Sequence, residues 1–145
     1  MKKSVTILFI LFTAMNLSAS NPSQSHENSI STNDMEEVDK IEVYYFHFTR
    51  RCATCTAVEE ETKNALMELY PEKMKTGEIS FISVNLDDND NESLAEKYEV
   101  SAQTLLFVSG SETVNLTNKG FMYARSNPDK LKKEIKLTID NLLSQ

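Results

Sequence analysis

Residues 41–55 read IEVYYFHFTRRCATC. From Ile41 to Thr49 the run is dense in β-branched and aromatic residues, and its apolar side chains occupy both odd and even positions. A strand apolar at both parities is buried on both faces, which marks a central strand in a sheet covered on two sides. Arg50-Arg51 ends the run, and Cys52-Ala53-Thr54-Cys55 follows at once. From Cys55 to about Tyr70 the period becomes helical, with Val58, Thr62, Ala65, Leu66 and Leu69 on one face and Glu59, Glu60, Glu61 and Lys63 outside. A central strand thus passes into a helix through a Cys-x-x-Cys pair.

Further along the chain, Pro71 predicts the helix stop and Gly77 a turn. Ile79–Leu86 (ISFISVNL) is a second apolar strand, and Asp87–Asn91 is a polar loop with capping residues. Ser93–Tyr98 reads as a short helix and Thr104–Val108 (TLLFV) as a third strand. Ser109-Gly110-Ser111 supplies a hairpin turn before a fourth strand over Thr113–Leu116, with a short fifth expected near Phe121. The last helix opens with Asn127 as cap and Pro128-Asp129 in its first turn, and its buried stripe is Leu131, Ile135, Ile139, Leu142 and Leu143. The alternation of strand and helix predicts a parallel crossover first, then an antiparallel hairpin with a covering helix.

The N-terminus reads differently. Lys2-Lys3, the apolar run Val5–Met15 and the small residues Ser18-Ala19-Ser20 follow one another in the order of a secretory signal peptide. The apolar run is well short of the roughly 20 residues that span a bilayer. Residues 1–20 are therefore expected to be a cleaved signal. Residues 21–39 are polar and aperiodic, and are expected to be a disordered tether in which His26 is a solvated residue. Residues 40–145 are left as one domain. After cleavage 13 basic residues face 22 acidic ones, a charge of −9 where the full sequence carries −7. That balance argues against nucleic acid and against an anionic membrane surface. The expected location is outside the cytoplasm, periplasmic or secreted.

Two residues between cysteines close too small a loop for an efficient structural staple, so redox chemistry or metal binding suits the spacing better. At a helix start, residues three apart share a face and the two sulfurs can bond. The helix N-terminus favours a thiolate, and the thiolate is the reactive form. Cys52 lies nearer the exposed helix end and is the candidate attacking thiol; Cys55 continues into the buried face and is the candidate resolving thiol. Arg50 and Arg51 could further stabilise the Cys52 thiolate, or simply end the strand in solvent. His47, on an apolar strand, reads first as a core residue with a satisfied hydrogen bond.

These segments together, with Val84-Asn85-Leu86-Asp87 and Thr104-Leu105-Leu106-Phe107, make Ile41–Leu143 resemble a divergent member of the thioredoxin-like superfamily. The resemblance implies an α/β thioredoxin-like fold, a central mixed sheet of four to five strands flanked by helices. It also implies an exported thiol-disulfide oxidoreductase that uses the Cys52/Cys55 dithiol, with Arg51, Gln103 and Thr104 as supporting residues. The dithiol is itself the redox group, so no cofactor is expected, and the partner would be a protein or small-molecule thiol or disulfide. The chain is expected to be a monomer free of membrane after signal cleavage.

Five positions depart from the superfamily pattern. Arg51 stands where Trp is usual and Ala53-Thr54 where Gly-Pro is usual. Phe46 takes the place of a buried acid, and Gln103 that of a cis-proline. Loss of that proline raises the weight of a soft-metal module holding copper(I) or zinc on Cys52 and Cys55, with His47 as a third donor. A non-catalytic interaction domain is the remaining alternative.

Overall fold

A computed structural model of the chain describes residues 40–145. The expected signal peptide and tether lie outside the described residues. β1 (Ile41–His47) is followed by α1 (Ala53–Leu69), α2 (Pro71–Thr76) and β2 (Ile79–Asn85). A 3-10 turn at Asn89–Asn91 leads into α3 (Glu92–Lys97), then β3 (Thr104–Ser109), β4 (Glu112–Asn115), α4 (Thr117–Tyr123) and α5 (Pro128–Leu142). The strands form one mixed sheet in the order β2-β1-β3-β4. β1 runs parallel to β2 and antiparallel to β3, and β3 pairs antiparallel with β4.

The two apolar parities of β1 are both used. Ile41, Val43 and Tyr45 enter a core with Val58, Ala65 and Leu66 of α1 and Leu131, Ile135, Ile139 and Leu142 of α5. Tyr44 and Phe46 enter a second core with Val84, Leu106 and Val108, closed by Leu94 and Tyr98. With α1 and α5 on one face of the sheet and α3 on the other, β1 is held from both sides and its C-terminal end is fixed in space. That end delivers the cysteine pair.

α1 ends at Leu69, just before Pro71, as expected. Pro71 is also the first residue of α2, where a missing N–H costs nothing, and Gly77 closes that helix in the left-handed region at φ 82°. Three expectations are corrected. No strand forms near Phe121. Residues 117–123 are α4, so the sheet has four strands among the described residues. α1 starts at Ala53 rather than Cys55, because Cys52 is its cap. Leu143 lies past the end of α5 and is 38 % exposed, so the buried stripe ends at Leu142. No helix among the described residues is long and apolar enough to cross a membrane.

Candidate functional site

Cys52 and Cys55 are joined as a disulfide, with Cα atoms 5.1 Å apart. Cys52 is the N-cap of α1 in extended backbone (φ −81°, ψ 162°). Its sulfur accepts the Cys55 N–H at 3.2 Å, and the Cys52 N–H donates to the Cys55 sulfur at 3.3 Å. This is the reciprocal arrangement of a capping box, with two sulfurs in place of the usual oxygens. Two of the unpaired donors at the helix start are thereby met by the cysteines themselves. Cys52 is exposed, whereas Cys55 is 3 % exposed. No acidic side chain lies in the first turn of α1 to oppose negative charge there.

Behind the pair, the Tyr45 hydroxyl donates to the Cys55 carbonyl at 2.8 Å, tying the first turn of α1 to the central strand. Burial pushes the Tyr45 phenol up to about 12, so it stays a donor across the physiological range. The approach to the pair is pinned from β2. The Thr49 N–H donates to Asp87 Oδ2 at 2.8 Å, and Asn85 Nδ2 donates to Thr49 Oγ1 at 3.0 Å. These bonds to Thr49, the backbone one first, hold the Asp87 carboxyl below its ordinary range.

Arg51 has a carboxylate partner of its own. Its guanidinium pairs with Glu59 Oε2, two turns along α1, while Glu59 Oε1 accepts the Ser83 hydroxyl at 2.6 Å. Burial opposes the charge on Glu59, but the bonds from Ser83 and Arg51 outweigh it and the carboxyl is held below its ordinary range. Arg50 is exposed and forms no ion pair among the described residues. His47 is buried, as expected, with Nδ1 3.0 Å from the Phe48 carbonyl and Nε2 2.9 Å from Ser83 Oγ. Both ring nitrogens are therefore engaged within the protein, and the imidazole is not presented to the sulfurs as a third donor for a metal.

Gln103 lies across from the pair, its Nε2 4.0 Å from Cys55 Sγ, at the limit of contact with sulfur. No peptide bond among the described residues is cis, so the Gln103 bond is trans. Thr104 opens β3 opposite Phe46, and its hydroxyl donates back to the Ala102 carbonyl at 2.8 Å. Phe46, in the position of a buried acid, faces the second core with Tyr44, away from α1.

Three residues of this neighbourhood escape the sequence reading: Tyr45, Glu59 and Ser83. Glu59 stands four residues after Cys55, a spacing that puts both on one helical face. Ser83 is paired with Tyr45 across the β1–β2 ladder, a relation that only the strand register discloses.

The sheet order, with the cysteine pair at the start of the helix after the central strand, is the thioredoxin-like arrangement expected from the sequence. No family model and no curated protein matches the chain. Among solved structures, a malarial protein is 23 % identical over 66 % of this chain and 97 % of its own, with a TM-score of 0.45. Fasciola hepatica thioredoxin is 24 % identical over 70 % of this chain and 84 % of its own, at 0.44. Mitochondrial thioredoxin 3 of Saccharomyces cerevisiae, in its oxidised form, is 21 % identical over 68 % and 78 %, at 0.42. These likenesses are distant, and the assignment of the fold rests on strand order and the place of the cysteines.

Proposed function

We propose that this protein is an exported thiol-disulfide oxidoreductase whose working group is the Cys52/Cys55 dithiol. The observation that carries the reading is the unequal setting of the two sulfurs. Cys52 is exposed at a helix N-cap with an N–H aimed at its sulfur, and Cys55 is buried one turn in. A helix N-terminus and a directed N–H both favour thiolate over thiol, so Cys52 is the nucleophile.

In the reducing direction the Cys52 thiolate attacks one sulfur of a substrate disulfide. The substrate S–S bond breaks and its second sulfur leaves as a thiolate, which takes up a proton. Cys55, having lost its proton to solvent, then attacks the Cys52 sulfur of the mixed disulfide, and the first substrate sulfur leaves in turn. Two electrons pass from the dithiol to the substrate, and the reverse sequence oxidises a substrate dithiol. Gln103, with Nε2 4.0 Å from Cys55 Sγ, borders the pair, and Thr104 follows it at the start of β3, the stretch we assign to substrate contact. The signal-like N-terminus supports export, which would place the dithiol where disulfides persist. The acidic charge favours a soluble monomer with protein or small-molecule thiols as partners.

The test is trapping. The full chain carrying Cys55→Ser should accumulate a mixed disulfide with a thiol probe activated as its disulfide, read as a mass increase of one probe per chain. Cys52→Ser should not. Equal labelling of both variants, or of neither, would sink the reading.

A further inference from the structure

The arginine that precedes the cysteine pair has its charge directed elsewhere. Arg51 and Cys52 are neighbours in sequence, yet the Arg51 guanidinium lies on Glu59. Glu59 stands seven residues into the helix from Cys52, which at the rise of an α-helix is roughly 10 Å along the axis. Exposed ion pairs are usually weak and mobile. This one is anchored: the other carboxylate oxygen accepts Ser83 at 2.6 Å, and Ser83 in turn meets His47 Nε2 at 2.9 Å. The Arg51 and Glu59 side chains are 27 % and 20 % exposed. The groups that face Glu59 are Arg51 from the approach loop, Tyr45 and His47 from β1 and Ser83 from β2; His47 is also faced by Asp87.

We propose that Glu59 is a positioning residue that sets the reactivity of Cys52 by holding the Arg51 guanidinium away from its sulfur. Released from Glu59, a guanidinium one residue from Cys52 can swing to the N-cap and stabilise the thiolate. A stabilised thiolate favours the dithiol over the disulfide and makes the pair a stronger oxidant. Held on Glu59, Arg51 keeps the pair more reducing than its sequence neighbourhood suggests. Ser83 contributes by fixing the carboxylate that Arg51 must reach. This inference rests on the exchange reading above and assigns a determinant of its potential.

The experiment is a double-mutant cycle on the full chain, read two ways. The first readout is the equilibrium with glutathione, in which dithiol plus oxidised glutathione gives disulfide plus two reduced glutathiones. Glu59→Gln should lower that equilibrium constant about tenfold, which for a two-electron couple is about 30 mV towards the oxidising side. In the Arg51→Gln background the same Glu59→Gln change should move it less than twofold, because the guanidinium through which Glu59 acts is gone. Ser83→Ala should act in the same direction as Glu59→Gln, but less. The second readout is the pH midpoint of Cys52 alkylation by iodoacetamide in the reduced chain, which should fall by about one unit in Glu59→Gln only when Arg51 is present.

A tenfold shift that persists without Arg51 would overturn the proposal, since it would be a through-space effect of the carboxylate. Unchanged values in Glu59→Gln would overturn it as well. A reduced chain that never equilibrates with glutathione defeats the exchange reading instead, and the alkylation midpoints still decide the role of Glu59.

Discussion

At the scale of single residues, the chemistry of the pair is prepared by where hydrogen bonds end. The unequal exposure of Cys52 and Cys55 was legible in the sequence, because a cysteine three residues further into an amphipathic helix falls on its buried face. The engagement of Arg51 was not. Its partner is eight residues away, outside the local pairs that helical spacing reveals, and it depends on β2 bringing Ser83 to the same carboxylate. Asp87 is a second such case, since it fixes the approach to Cys52 through the Thr49 N–H. Its carboxyl is held below its ordinary value of 3.8. A group depressed in the folded state adds stability that is complete above the unfolded value and is lost as pH falls through the folded one. The stability difference between the wild type and Asp87→Asn in urea unfolding should therefore be present at pH 7 and shrink as the pH is lowered past 3.8 towards 2. A difference that grows on acidification would assign Asp87 the opposite role.

At the scale of elements, the strands were readable because burial on both faces leaves a signature at both parities, and β1 carries it in full. Pro71 was readable as the stop of α1, but its second use as the start of α2 was not, because proline both ends helices and begins them. The short strand expected near Phe121 does not form, and that stretch, with Gly120, lies inside α4. The structure gives the reason for that glycine. A Cβ there would lie 3.1 Å from Val58 Cγ1 and 3.5 Å from Leu105 Cδ2. Val58 is fully buried, and its branched side chain has essentially one rotamer in a helix, so it cannot swing aside. Gly120→Ala should cost about 1 kcal/mol net, the overpacking of roughly 1–3 kcal/mol exceeding the gain of about 0.5–1 kcal/mol from replacing a helical glycine. In a Val58→Ala background the clash is gone, and the same change should become neutral or stabilising by about 0.5–1 kcal/mol. Denaturant midpoints of the four proteins check this, and an equal cost in both backgrounds would show that Val58 is not the obstacle.

At the scale of the whole molecule, the disulfide and the fold exert opposite effects on stability, and their balance can be measured without a substrate. A disulfide closing a four-residue loop restricts the unfolded chain by about 2 kcal/mol in the chain-entropy account, the small end of the range. Against that stands the thiolate of the reduced form, which the cap of α1 favours in the folded state and nothing favours in the unfolded one. If the Cys52 thiol has a lower pKa in the fold than its unfolded value of about 8.5, that contribution to the reduced protein is complete above 8.5 and is lost as pH falls through the folded value. The oxidised protein should then exceed the reduced one by up to about 2 kcal/mol at pH 5, with the gap narrowing steadily towards pH 9. Apart from Cys55, which like Cys52 is a free thiol only in the reduced chain, every other titrating group is common to both forms and cancels to first order in the difference. Paired urea melts of the oxidised and reduced chain across that range measure it directly. A gap that stays constant would mean that the fold does nothing for the thiolate, leaving Cys52–Cys55 as a small staple rather than a poised redox pair.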